Sequence, residues 1–141
     1  MSDPSPDVIP MLTYEDGFGA MDWLCRAFGF VECTRMADES GRLMHGELRT
    51  GNGFVMLASP TAVYQGPRRH RQHCDRAREW SAGPWIVDGV LVLVDDVDAH
   101  FTHAKREGAV ILSEPEDGPP ARRYRAEDLE GHRWMFASKE A

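Results

Sequence analysis

Hydrophobic and polar positions between residues 8 and 58 alternate, then take a helical spacing, and then alternate again. An apolar run at residues 8–14 predicts a strand. Apolar side chains recur at helical spacing over residues 20–28, and Gly29 supplies the signal typical of a helix C-terminus. Turn residues then separate three further segments that we predict as strands, at residues 30–36, 43–49 and 54–58. The predicted order is one strand, one helix and three strands.

The second half of the chain repeats this order. A β-branched run at residues 90–94 predicts a strand, and the helical pattern after it ends at Gly108. A shift of 79 residues superimposes Met56-Leu57 on Met135-Phe136. The remaining segments are predicted as strands at residues 110–112, 122–126 and 133–137, and as a proline-rich loop at residues 114–121. The repeat indicates an α+β protein with two pseudo-symmetric βαβββ modules, because a unit of this size normally needs its copy to bury its apolar face.

The repeat also predicts the domain organisation. We expect a single domain at residues 8–138, with modules at residues 8–59 and 88–138. Residues 60–87 form a connector between the modules, and its Arg- and His-rich part predicts a short exposed helix at about residues 68–80. His70, His73 and Cys74 have a spacing that can gather metal ligands, although a polar helix face is the preferred interpretation.

Length, charge and cysteine content narrow the class of protein. The 141 residues carry a formal net charge of −7, which argues against general binding to nucleic acid phosphates. No apolar run approaches ~18 residues, so no membrane-spanning helix is expected. No secretory signal is visible, and the odd number of cysteines, three, favours reduced thiols in a cytoplasm.

Three motifs resemble those of a known superfamily. They are WLCRAFGF at residues 23–30, VDDVDA at residues 94–99 and DLEGHRW at residues 128–134. In this order and within the repeat, they resemble the vicinal oxygen chelate superfamily. The HGEL segment at residues 45–48 and the connector at residues 64–80 resemble most closely its glyoxalase-like, bleomycin-resistance-like branch. The resemblance covers roughly residues 8–138. It implies that each module curls a mixed sheet around a cavity and that a homodimer completes the site.

The resemblance also implies where a divalent metal would be bound in enzymes of this superfamily. Such enzymes hold the metal with about four side chains, taken from the first and last strand of each module. The matching positions here are Ile9, Met56, Gly89 and Met135. Aliphatic side chains and glycine donate nothing, and a thioether is a poor ligand for Mg, Mn, Ni or Fe. We therefore expect no metal and no cofactor, even if a register slip brings Asp88 closer.

Alternation along the strands predicts which side chains line the cavity. If Met56 and Met135 point inward, Phe54 and Arg133 do so as well. Ile9, Met11 and Leu91 would join them from the first strands, and the 79-residue shift adds Tyr124 opposite His45. The interpretation is an apolar, methionine-rich pocket with Arg133 as its single cation. In the alternative interpretation these side chains pack together, or across a dimer seam, and leave little space.

These observations lead to three functional hypotheses. The first is a metal-free protein that sequesters an apolar or aromatic small molecule in a dimer cavity. The second is an enzyme of the glyoxalase or dioxygenase type, with a relocated metal site or with His45 and Glu47 as an acid–base pair. His45 and Glu47 share one face of a strand, which equally suits a structural hydrogen bond. The third hypothesis is an interaction module without a small ligand.

Overall fold

The computed structural model describes residues 6–139 and divides the chain into two compact units, residues 1–64 and 65–141. Residues 60–64 of the predicted connector lie in the first unit and residues 65–87 lie in the second. Unit 1 contains one mixed four-stranded sheet in the order β1-β4-β3-β2, with one helix between its first two strands. Its elements are β1 (Met11–Thr13), α1 (Gly17–Phe28), β2 (Val31–Ala37), β3 (Leu43–Arg49) and β4 (Phe54–Ala58).

Local sequence signals set both ends of α1. The Asp16 carboxylate accepts a hydrogen bond from the Gly19 backbone N–H at 3.0 Å, which satisfies one amide of the first turn. Gly29 ends the helix with a φ of 79°, a left-handed conformation that costs a glycine little. The helix lies close against the sheet at Gly46, where an added Cβ would come within 2.6 Å of the Met21 sulfur. The sheet face under α1 is therefore fully packed.

Unit 2 has the same topology, with its sheet in the order β5-β8-β7-β6. Two short helices precede the sheet, and a third connects β5 to β6. The elements are α2 (Pro67–His73), α3 (Asp75–Trp80), β5 (Gly89–Val94), α4 (Val97–Arg106), β6 (Val110–Glu116), β7 (Arg123–Glu127) and β8 (Arg133–Ser138). None of the helices within residues 6–139 has the length and apolar composition needed to cross a membrane.

The predicted fold class is confirmed: the chain is α+β, with two four-stranded mixed sheets. The single-domain organisation and its boundaries stay predictions. Three predicted elements differ in extent. β1 begins only at Met11, after Pro10, because a proline cannot donate to the ladder. β6 continues through Pro115 because it is an edge strand, where a missing N–H is tolerated. The predicted connector helix is two helices, interrupted by extended backbone at Cys74.

The core of unit 2 lies between its sheet and α4. Tyr124 is fully buried there, with its ring stacked on Phe136 at a centroid distance of 5.3 Å. Its hydroxyl lies 2.6 Å from Nδ1 of His100, which is a residue of α4. Burial raises the pKa of the Tyr124 phenol well above its usual value of 10.0.

The raised pKa of Tyr124 predicts how the stability of the protein changes at alkaline pH. The unfolded chain loses this phenolic proton near pH 10.0 while the folded chain keeps it. The free energy of unfolding should therefore fall as the pH rises above 10, whereas below that value ionisation of this group makes stability neither rise nor fall with pH. Tyr124→Phe should lose about 1 kcal/mol at pH 7, because His100 loses a hydrogen-bond partner. Its stability should also decline less between pH 10 and 11.5, as measured by urea unfolding. An alkaline decline equal to that of the wild type would contradict this assignment.

Candidate ligand-binding site

A cavity of about 170 Å³ lies in unit 2, on the sheet face opposite α4. Strands β5, β8 and β7 supply its floor, and the segment after α3 supplies a wall. Leu91 pairs with Met135, and Met135 pairs with Arg125, so three adjacent strands place two apolar side chains and one cation on the same face. Trp85 and Val87 line the wall. The lining is therefore mixed: apolar side chains from the strands and the wall lie beside the side chains of Arg125 and Arg133.

Arg133 also lines this cavity, but its guanidinium already has hydrogen-bond partners within the protein. Its guanidinium donates to the backbone carbonyls of Ser81, Gly83 and Ile86 at 2.6, 2.7 and 2.9 Å. It also donates from Nε to the Glu127 carboxylate at 3.1 Å. Arg133, predicted as the single cation of the pocket, does line the cavity, but Arg125 lines it as well, and the Arg133 side chain ties the end of the connector to the sheet.

Three arginines surround the Glu127 carboxylate, which is 5% exposed. Arg133 and Arg71 lie 3.1 and 2.9 Å from its Oε2, and Arg68 lies 3.6 Å from its Oε1. Burial lowers the pKa of the Arg71 guanidinium, and the nearby Glu127 charge offsets part of that change. Arg68 also donates to the Asp128 and Leu129 carbonyls. One carboxylate therefore holds α2, β7 and β8 together, with three guanidiniums already around it.

Arg125 is the cation that the sequence analysis did not identify. Its side chain is half-buried and lines the cavity, and it has no hydrogen bond or ion pair with any residue in the range 6–139. Its cross-strand neighbours are Ser113 and Met135, neither of which carries a charge. Glu127, two residues along the same strand, is occupied by three other guanidiniums. The alternation of side chains could have identified Arg125. Arg133 pairs with Glu127, and Arg125 lies two residues before Glu127 on the same face of β7.

Tyr124 does not line the cavity, which corrects its predicted role. It packs on the α4 side of the sheet, because it pairs with Phe136 and not with Met135. A shift of 79 residues relates equivalent positions of β4 and β8, but it does not relate equivalent positions of β3 and β7. Four residues join the paired Arg49 and Phe54, whereas five join the paired Glu127 and Arg133. The extra turn residue moves β7 by one position, and a slip of one reverses the face of every side chain.

Val87 has a strained backbone at the rim of the cavity. Its φ is 73°, a left-handed conformation that a β-branched residue rarely adopts. The preceding carbonyl, that of Ile86, is held by Arg133 at 2.9 Å. Such strain costs of order 1–3 kcal/mol and persists only where surrounding contacts impose it. The Arg133 hydrogen bonds therefore also position the wall that carries Trp85 and Val87.

The predicted site residues of unit 1 lie on the corresponding helix-free face. Met11 pairs with Met56, and Met56 pairs with Glu47, so these side chains share that face. Met11 is 80% exposed, and Phe54 lies under the Arg49 guanidinium at 5.7 Å. His45 Nε2 is 3.6 Å from Glu47 Oε2, longer than a hydrogen bond. Ile9, also predicted for the site, precedes β1 and is half-buried.

The donor set does not fit the metal that the family resemblance implies. The strand pairings put Met11 beside Met56 and Leu91 beside Met135. These first-strand positions are two residues beyond Ile9 and Gly89. A shift of two residues along a strand leaves a side chain on the same face of the sheet. In either register the side chains offer thioethers or no donor at all. Within residues 6–139, no three His, Cys, Asp or Glu side chains come together in a way that could hold a metal ion.

Comparison with known proteins identifies the family. The model of the glyoxalase/bleomycin resistance protein/dioxygenase superfamily matches residues 10–136, and the chain belongs to this superfamily. An uncharacterized protein of Mycobacterium bovis is 31% identical over 136 residues, which cover 93% of this chain and 82% of that protein.

Two solved structures extend the comparison. TioX from Micromonospora sp. ML1 is 34% identical with a TM-score of 0.69, over 95% of this chain and 98% of TioX. The bleomycin-binding protein of Streptomyces verticillus, solved with copper(II)-bleomycin, is 16% identical with a TM-score of 0.61, over 99% of each chain. At that identity the second likeness concerns the fold alone.

The Glu127 cluster predicts a large effect of a single isosteric substitution. Glu127→Gln leaves three guanidiniums without their shared carboxylate, and should lower the free energy of unfolding by about 3 kcal/mol. Urea unfolding followed by tryptophan fluorescence would measure this change. Proteolysis should also cut residues 81–88 faster, since Arg133 is then less firmly held.

Asp98→Asn is the control for this experiment. It removes a carboxylate that pairs with Arg122 at 2.8 Å on the surface, where solvent screens the interaction. Its effect should be much smaller than that of Glu127→Gln. Equal stabilities of the two variants would show that the buried cluster does not hold the unit together.

Proposed function

We propose that this protein is a metal-free, cytoplasmic small-molecule-binding protein that sequesters an apolar or aromatic ligand as a homodimer. The observation that carries this proposal is the cavity on the helix-free face of unit 2, with Trp85, Leu91 and Met135 at its surface. An indole offers a flat stacking surface, and a methionine adapts to irregular shapes. Together they favour flat, weakly polar molecules. The three free thiols, Cys25, Cys33 and Cys74, agree with a reducing compartment.

The size of the cavity supports the homodimer part of the proposal. Sites for drug-sized ligands occupy roughly 300–1,000 Å³, whereas this cavity has about 170 Å³. It can accept one ring system but needs further walls for a larger molecule. Large apolar side chains on the helix-free faces remain exposed: Met11 by 80%, Leu91 by 53% and Leu93 by 51%. A second copy of the chain would cover such side chains and complete the wall.

The superfamily contains both binding proteins and enzymes, so an enzymatic alternative remains. A lyase or isomerase could use His45 as a base oriented by Glu47, whose atoms lie 3.6 Å apart. We place this second because the distance exceeds a hydrogen bond. The binding proposal is also supported by the fold neighbour described as a bleomycin-binding protein.

Metal content tests the metal-free part of the proposal. Protein purified without an affinity tag should contain less than ~0.1 divalent metal per chain by plasma mass spectrometry, because the strand positions lack suitable donors. Native mass spectrometry of the same sample should give twice the mass of one chain. Close to one metal per chain would overturn the metal-free assignment, and a monomer would overturn the homodimer.

Binding of a neutral aromatic molecule tests the site itself. 2-Naphthamide should bind saturably to the isotope-labelled wild-type protein and shift the indole N–H signal of Trp85 in NMR spectra. Trp85→Ala should weaken this binding about fivefold, through loss of ring stacking. Trp80→Ala is the matched control, since Trp80 is 48% exposed but does not line the cavity. Equal loss in both variants, or no saturable shift in the wild type, would contradict the proposed site.

A further inference from the structure

Resting on the proposed binding function, we propose that the ligand of the unit 2 cavity is an aromatic or flat apolar molecule with one anionic group, held by Arg125. A carboxylate is the anion that the geometry of a guanidinium suits best. This assigns a ligand chemistry opposite to the one that the net charge of −7 suggests.

Arg125 differs from the other arginines of unit 2 in its surroundings. Arg125 is half-buried, and folded proteins normally compensate for the partial burial of an arginine with a carboxylate or with carbonyl oxygens. Every other cavity-lining or neighbouring arginine in unit 2 has such partners: Arg133 has three carbonyls and Glu127, and Arg123 has Glu116 and the Ala121 carbonyl. Among the described residues, Arg125 has none. Because Arg125 also lines the cavity, a ligand bound there would supply the acceptor.

The surroundings of Arg125 favour an anion further. Glu127 is the nearest carboxylate along the strand, and three guanidiniums share its single negative charge. The local excess of positive charge therefore persists at the cavity floor, although the chain as a whole is acidic. A cation and an anion attract each other more strongly at a partly buried site than they do in water.

The apolar part of the ligand follows from the other lining residues. Leu91 and Met135 occupy adjacent strand positions on the same face as Arg125. Trp85, 68% exposed, lies on the wall above them. A flat ring between the indole and this sheet face would place its substituent at the Arg125 guanidinium. The volume of about 170 Å³ suits one fused or single ring system with a small charged substituent.

Three probes of similar shape test this inference: 2-naphthoate, 2-naphthamide and 2-naphthylmethylammonium. They differ only in the charge of one substituent. In NMR titrations of the full-length wild-type protein, 2-naphthoate should bind about tenfold more tightly than 2-naphthamide, and the ammonium compound most weakly. The Arg125 Nε–H signal should shift with 2-naphthoate.

Arg125→Met keeps the length of the side chain and removes its charge. It should reduce the affinity for 2-naphthoate about tenfold and leave the affinity for 2-naphthamide within about twofold. Arg123→Met is the matched control, because Arg123 lies on the same strand and face but pairs with Glu116 at 3.9 Å. It makes the same change in net charge and should preserve the preference for 2-naphthoate.

The outcomes separate this inference from the proposed function. Binding of 2-naphthamide without a preference for 2-naphthoate, or a preference that survives Arg125→Met, would overturn the role of Arg125 and leave the binding function standing. An equal loss in Arg123→Met would show that only general charge matters, and would overturn it too. Failure of all three probes to bind would overturn both proposals.

Discussion

Each sheet of this protein depends on the parallel pairing of its first and last strands. β1 runs beside β4, and β5 runs beside β8, while the other neighbours are antiparallel. A parallel pair needs a connection that crosses over the sheet, and in each unit that connection includes a helix, α1 or α4. The helix covers one face, so the large apolar side chains of alternate positions collect beneath it. The opposite face is not covered by this crossover helix, and in unit 2 this is where the cavity forms.

A second constraint comes from burial of charge around Glu127. Desolvating a carboxylate is costly, and here three guanidiniums compensate it where α2, β7 and β8 meet. The same cluster orients Arg133, which binds three connector carbonyls and holds the strained Val87 segment. An electrostatic interaction in the interior thus shapes the cavity wall. It also leaves Arg125, the next residue of β7 on that face, as a cation without a counter-ion among the described residues.

The fold could be predicted because its signals are local and repeated. The helix caps, the glycine turns and the alternation of the strands appear twice in the same order, so element type and order followed from the sequence. The predicted cavity residues depended on register, and register is not local. The 79-residue register relates Met56 to Met135 correctly, because the two parallel pairings place these residues at corresponding positions. It failed for Tyr124, because one extra residue in the turn before β8 shifts β7 by one position. The hydrogen bonds of Arg133 to connector carbonyls had no signal in the sequence pattern.

The two units show how one topology acquires different chemistry. By strand pairing, the position of Glu47 beside Met56 in unit 1 corresponds to that of Arg125 beside Met135 in unit 2. The backbone arrangement is the same, but the charge at the equivalent point is reversed. The carboxylate of unit 1 has His45 nearby, whereas the guanidinium of unit 2 faces a cavity with apolar walls. Neither the net charge nor the fold predicts the charge at these two positions. Net charge is a sum over the whole chain, and one fold accepts different side chains at the same position. The chemical difference between the two units therefore lies in the side chains of these sheet faces, which the fold positions but leaves free to differ.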